Sequence, residues 1–282
     1  MKNEKTYELV LTALFTAIIV IMAFTPLGYI PLVVINATVI HIPVILGALF
    51  LGPKKGAFLG FVFGLTSFIN NTFKAATASA FVFSPVLAAN MIGVSGVFKS
   101  TYICFVPRIL VGVLPYFVYI LIRNLLKSEQ KIWRIVIHGA ASVILFLSVR
   151  AFVNSLTGAA NFIGAGAGAL CGVILFVVLT VSSSKKSSAS IALAYAGLTG
   201  AFTNTLFVMS GIFILYKDAY ADALGIAGDA VIDVIMGVVS FNGIVEAVVA
   251  AILVSGVGLA LTRIKPVKEI NGPAGVKSDR MR

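Results

Sequence analysis

A few polar side chains interrupt the long apolar runs of this sequence, and they are the residues that could do chemistry. Glu246 lies deep within one apolar run, four residues after Asn242, and Arg108 follows Pro107 in another. Ionisable side chains inside a membrane are costly and usually serve a function, facing a cavity or each other. The positive charge of Arg108 could hold an anionic group. A structural ion pair between Glu246 and Arg108 is the alternative.

Three amide side chains could add hydrogen bonds to such a site. Asn204 and Asn242 lie inside apolar runs, and Asn71 lies near the end of a third. Hydrogen bonds between helices explain these amides as readily as ligand contacts do. His41 is more typical of a structural histidine than of a ligand. His138 has no metal-binding partner at helical spacing, so no metal site is predicted.

No catalytic motif accompanies these residues. Residues 93–100, GVSGVFKS, superficially resemble a phosphate-binding loop, but Phe98 precedes the lysine where that motif has glycine. There is no HExxH and no Ser-x-x-Lys motif, and Cys104 and Cys171 stand alone. The sequence therefore predicts neither an enzyme nor a bound cofactor. If ATP drives this protein, another chain must hydrolyse it.

The composition places these residues in a membrane. Of the 282 residues, 60% are hydrophobic and 11% are charged, whereas soluble domains carry about 25% charged residues. The net charge of +11 would also suit a nucleic-acid-binding protein. The basic residues, however, form short clusters between apolar runs, as the positive-inside rule expects. The predicted partner is therefore a lipid bilayer and not nucleic acid.

The apolar runs predict an all-α, polytopic transmembrane bundle with about eight crossings and both termini in the cytoplasm. Residues 135–181 contribute either two crossings or none, because both choices preserve the charge pattern. The transmembrane domain is predicted to cover residues 1–265. The predicted spans are residues 7–25, 38–51, 56–70, 102–126, 135–153, 162–181, 189–216 and 238–261.

Several connecting segments have their own character. Residues 26–37, with two prolines, predict an outer loop, and residues 73–101 an ordered outer or re-entrant segment. The glycine- and alanine-rich residues 164–168 are predicted to separate two of the spans. The polar residues 266–282 predict a disordered cytoplasmic tail. A second outer loop is predicted to hold Asp218, Asp222 and Asp229.

Four glycines recur at intervals of four residues around the second and third spans. On a helix, Gly52, Gly56, Gly60 and Gly64 would form one stripe without side chains. In a bilayer such stripes allow the backbone of another helix to approach closely. Ala13 and Ala17 form a smaller pair of the same kind, which suits either internal packing or a partner interface.

Six segments in this order resemble the substrate-binding S components of energy-coupling factor (ECF) vitamin transporters, and most closely those of the pantothenate type. The resemblance covers residues 5–127 and 190–262. The segments are TALFTA (12–17), FTPLGYIPL (24–32), IPVILGALFLGPKKGAFLGFVFGLTS (42–67), PRILVG (107–112), GAFTNTLFVMSG (200–211) and NGIVEAVVAAILV (242–254).

The resemblance implies a six-helix core in a bacterial cell membrane, docked on a transmembrane T component with two cytoplasmic ATPase subunits. It also implies that Ala13 and Ala17 contact the T component. Residues 130–185 depart from the family pattern, where a short connection is usual. They predict an extra helical pair between core helices four and five.

The function expected from this resemblance is import of a water-soluble vitamin or its precursor, with pantothenate as the best candidate. Arg108 would attract the carboxylate of the vitamin, and Asn204, Asn242 and Asn71 would hold its hydroxyl or amide groups, with Glu246 nearby. The alternative is a self-sufficient secondary transporter of a small organic anion, with Glu246 as its proton-coupling carboxylate. A membrane enzyme acting on lipid intermediates is a third alternative.

Overall fold

A computed structural model describes residues 2–31, 36–75, 77–127, 131–157, 161–185, 188–264 and 266–268. Helices dominate these residues, as predicted, and only one short hairpin interrupts them. Its strands, β1 (Tyr29–Pro31) and β2 (Asn36–Thr38), pair antiparallel with Ile30 opposite Ala37. The helices are α1 (Lys2–Phe24), α2 (His41–Leu51), α3 (Pro53–Phe73), α4 (Pro85–Ile92), α5 (Val94–Val111), α6 (Leu114–Lys127), α7 (Lys131–Thr157), α8 (Asn161–Lys185), α9 (Ser188–Leu224) and α10 (Val231–Thr262).

Seven stretches in the described part of the chain are long and apolar enough to cross a membrane, and α5 and α6 together supply one of them, Val94–Lys127. The apolar helix α2, of 11 residues, is shorter than these stretches. The chain is therefore a multi-pass membrane protein, and its all-α bundle is confirmed. In the region predicted to hold an extra helical pair, α7 and α8 are each long enough to cross.

The two ends of the bundle differ in character. One end, which we call the basic end, holds the turn with Lys54 and Lys55 and the last residues of α6. The opposite end, which we call the hairpin end, holds β1 and β2. Because successive helices alternate in direction, α2 and α10 run from the hairpin end to the basic end, and α9 runs the other way.

The segment predicted as residues 73–101 is more helical than expected. A 3-10 turn at Ala78–Phe83 leads to Ser84, whose side chain accepts a hydrogen bond from the Leu87 amide (3.2 Å) and so caps α4. Gly93 ends α4 with a φ of +72°, which favours glycine. The predicted span 102–126 therefore begins earlier, at Val94, and a break at residues 112–113 divides it into α5 and α6.

Three other boundaries correct the sequence predictions. Asp218 and Asp222 lie on the last turns of α9 instead of in a loop, and only Asp229 lies in the turn before α10. Residues 164–168 lie inside α8, because the break between α7 and α8 falls before Asn161. The high helix propensity of the alanines in this segment offsets the low helix propensity of the glycines between them.

The predicted start of the disordered tail, at residue 266, is too early. Residues 266–268 pack against the bundle at the basic end, and Val267 is buried. The Lys268 amide donates to the Leu49 carbonyl (3.1 Å), and the Tyr116 hydroxyl donates to the Lys268 carbonyl (2.5 Å). The ammonium groups of Lys268 and Lys55 each lie 2.6 Å from the Glu8 carboxylate. The rest of the predicted tail, 269–282, lies outside the described residues.

The glycine stripe forms the contact between α3 and α5. A Cβ on Gly64 would lie 2.7 Å from the Cys104 carbonyl oxygen, and one on Gly60 would overlap the Arg108 carbonyl. Gly56 meets the backbone of Gly112 in the same way. Gly52 is different, because it has a φ of +89° in the turn between α2 and α3. The close-packed seam therefore consists of three glycines of the predicted four.

We expect Gly60→Ala to destabilise the bundle, because its Cβ would force α3 away from the Arg108 backbone. Overpacking of this kind lowers the free energy of unfolding by about 1–3 kcal/mol. Thermal unfolding of the purified protein in detergent would measure the change. Gly256→Ala is the matched control, since a Cβ there would meet no atom within 4 Å. Equal melting temperatures for the two variants would contradict the assigned seam.

Candidate ligand-binding site

Arg108 is buried on α5, and its side chain replaces a backbone hydrogen bond that Pro107 removes from this helix. Pro107 lies inside the helix and has no amide proton, so the Ile103 carbonyl loses its usual helical partner. The Arg108 guanidinium donates to this carbonyl from Nη1 at 2.6 Å. One role of Arg108 is therefore to give the Ile103 carbonyl of its own helix a hydrogen-bond donor.

Aromatic rings and a hydroxyl surround the rest of the Arg108 guanidinium. Its central carbon lies 5.5 Å from the centre of the Phe63 ring and 5.1 Å from that of Phe83, within the range of cation–π attraction. Its Nη2 lies 3.4 Å from the Ser67 hydroxyl on α3. Arg108 thus joins α5 to α3 and to the 3-10 turn before α4.

Glu246 connects three elements near the hairpin end. Its Oε1 accepts a hydrogen bond from the Thr38 amide at 2.7 Å, and its Oε2 accepts one from the Thr205 hydroxyl at 3.0 Å. Glu246 therefore ties β2 and α9 to α10, and both of its oxygens serve this connection.

The three predicted amides differ in what they contact. Asn204 on α9 and Asn242 on α10 are buried, and the Oδ1 atom of each has no hydrogen-bond partner within the described structure. Asn71 instead donates from Nδ2 to the Ser67 carbonyl of its own helix (2.8 Å). Two of the three amides therefore keep an acceptor available inside the bundle.

His41 is a further polar residue here that the sequence prediction treated as structural. It is the first residue of α2, its side chain is 0% exposed, and neither ring nitrogen has a hydrogen-bond partner in the part of the chain that the structure describes. Its type and position could be read from the sequence, but its lack of partners could not. The described residues contain no group of three or more metal-binding side chains.

The structure also has two open grooves on its surface. One, of about 540 Å³, lies between α5 and α9 and is lined by residues such as Lys99, Tyr102 and Ser210. None of the predicted binding residues lines it. The other, of about 530 Å³, runs along α1 and is closed on one side by Phe58 of α3. Its lining includes Ala13 and Ala17, which are both exposed.

Comparison with known proteins gives a consistent result. The model of a family described as "ECF transporter, substrate-specific component" matches residues 8–149, just over half of the chain. The chain is 42% identical over 137 residues to "Pantothenic acid transporter PanT" of Lactococcus lactis subsp. cremoris, covering 45% of this chain and 65% of the relative.

A second relative, "Pantothenate transporter PanT" of Leuconostoc mesenteroides subsp. mesenteroides, is 36% identical over 119 residues, covering 40% of this chain and 51% of the relative. The chain therefore matches between about half and two thirds of the length of these relatives.

We expect Glu246→Ala to release the hairpin, because the Thr38 amide would lose its buried charged acceptor. A hydrogen bond to a charged group is strong enough for its loss to accelerate exchange of the Thr38 amide about tenfold or more. Hydrogen–deuterium exchange of the segment around β2 would measure this effect. Thr205→Val, which spares the bond from Thr38, should change that exchange less. An unchanged exchange rate in Glu246→Ala would refute the connection.

Proposed function

Because this chain belongs to the family of ECF transporter substrate-specific components, we propose that it is the substrate-binding subunit of a bacterial importer and that its substrate is pantothenate. Membership of the family confirms the resemblance seen in the sequence. Two relatives carry the name of pantothenate transporters. The structural observation that best supports a ligand site is the pair of buried amide oxygens, on Asn204 and Asn242, that have no partner within the described protein.

Pantothenate matches the side chains available at this site. It is a small anion with a carboxylate, an amide and two hydroxyl groups. Arg108 supplies positive charge for the carboxylate, and Asn204 and Asn242 accept hydrogen bonds from the uncharged groups. Glu246 holds β2 over the site through Thr38. Asn71 contributes at the edge of the site if its side chain leaves the Ser67 carbonyl.

The energy for import comes from other chains in this proposal. The basic end lies in the cytoplasm with both termini, as its clustered lysines favour, and the hairpin end faces outward. A transmembrane T component docks against α1, and two cytoplasmic ATPase subunits drive reorientation of the bound S component. The chain itself catalyses no reaction.

Ala13→Leu and Ala17→Leu test the docking surface, because each would fill the α1 groove with an exposed side chain. When the chain is co-expressed with the T component and the ATPases, we expect either variant to lose these subunits during purification. The isolated variants should still be stabilised by pantothenate in a thermal-shift screen of vitamins, because the groove lies outside the proposed site.

Ala260→Leu provides the matched control for these variants. Ala260 is also exposed, on α10, and this variant should retain the partners. Loss of partners in all three variants would argue against a specific interface on α1. Stabilisation by a different vitamin would correct the substrate, and uptake without any ATPase would favour the proton-coupled secondary transporter.

Arg108→Gln separates a substrate role of Arg108 from its structural role. If the guanidinium binds the carboxylate, the variant should lose about tenfold or more of its affinity for pantothenate, since a hydrogen bond to a charged group is lost. Its affinity for panthenol, which has an alcohol in place of the carboxylate, should change much less. Isothermal titration calorimetry would measure both. An equal loss for the two ligands would show that Arg108 acts only by holding α5 and α3.

A further inference from the structure

The His41 side chain can form hydrogen bonds, but it forms none with the described part of the chain. Its ring is fully buried, and both nitrogens are unpaired in the described structure. A neutral imidazole has one donor and one acceptor, and burying both without partners is unfavourable. The other histidine, His138, differs by one contact, because its Nδ1 lies 3.2 Å from the Tyr195 hydroxyl and only its Nε2 lacks a partner in the described structure.

The packing of α2 on α9 shows what His41 faces. The Ile45 side chain lies against Gly200, where a Cβ would overlap it. The two helices run in opposite directions, so the next turn toward the hairpin end carries His41 on α2 and Asn204 on α9. Residues four apart share a face and are separated by about 6 Å along the axis. His41 and Asn204 are therefore level with each other on facing sides of the two helices.

Helix α10 connects to the same region of the bundle through Glu246. Thr205, next to Asn204, donates to Glu246, and the amide of Thr38, three residues before His41, donates to the same carboxylate. Asn242 lies one turn from Glu246 toward the hairpin end. Glu246 thus anchors β2 and α9 to α10. Three buried polar side chains on α2, α9 and α10 each have an unpaired atom in the described structure: His41, Asn204 and Asn242.

We infer that His41 contacts the substrate and forms, with Asn204 and Asn242, a subsite for the hydroxyl- and amide-bearing part of the molecule. This inference rests on the proposed function. The unpaired atoms of both asparagines are oxygens that only accept hydrogen bonds, so they favour a ligand with O–H or N–H donors. A carboxylate would place its lone pairs against these oxygens. The subsite therefore excludes the anionic end of the substrate, which must lie elsewhere.

His41→Leu in the full-length purified chain tests this inference with two measurements. Without ligand, the melting temperature should rise or stay the same, because an apolar side chain replaces buried polar atoms that lack partners. The affinities for pantothenate and for panthenol should both fall about tenfold, because both molecules carry the same hydroxyl and amide groups. His41→Gln, which again offers a donor and an acceptor, should recover part of both affinities.

His138→Leu is the matched control. Its Nδ1 has a protein partner in Tyr195, so this variant should lower the melting temperature of the ligand-free chain and leave both affinities unchanged. The inference is overturned if His41→Leu behaves like His138→Leu, or if it weakens pantothenate alone. If no vitamin binds the unaltered chain, the proposed function fails. In that case the inference fails with it, whereas pantothenate binding that His41→Leu leaves unchanged overturns the inference alone.

Discussion

Polar groups inside a bilayer have no water to bind, so each needs a partner within the protein or from a ligand. The charged residues of this bundle meet that requirement with protein atoms. Arg108 donates to the carbonyl that Pro107 leaves without a partner, and Glu246 accepts from Thr38 and Thr205. Among the uncharged side chains, Asn204, Asn242 and His41 hold buried atoms without a hydrogen-bond partner in the described structure. These three side chains are proposed to contact a ligand.

The glycine seam and the candidate site depend on each other. Gly60 lies directly against the carbonyl of Arg108, so the distance between α3 and α5 determines where the guanidinium reaches. From there it contacts Phe63 and Ser67, which both belong to α3. Close backbone packing therefore holds α3 and α5 together. It also keeps Arg108, the one buried arginine of the described chain, close enough to α3 for its side chain to contact that helix.

Hydropathy and spacing were sufficient to predict most of the fold. They located the seven apolar stretches that are long enough to cross in the described chain, the seam glycines and the buried polar residues, because each of these leaves a local pattern. The start of α5 at Val94 could not be predicted in that way, since it depends on the capping by Ser84 and on the conformation of Gly93. The unpaired ring nitrogens of His41 could not be predicted for a different reason. The absence of a hydrogen-bond partner depends on every neighbour in three dimensions, and no sequence pattern records it.

The position of α7 and α8 shows how the predicted extra helical pair is compatible with the proposed ligand subsite and with the proposed docking groove on α1. Helix α7 contacts α6 and α10 and packs along α8, and His138 of α7 meets Tyr195 of α9. Both of these residues lie in the second turn from the basic end of their helices, whereas Asn204 and Asn242 lie toward the hairpin end. The groove that contains Ala13 and Ala17 is lined only by residues of α1 and α3. These two helices therefore lie beside α10, and the residues of the proposed ligand subsite and of the α1 groove belong to other helices.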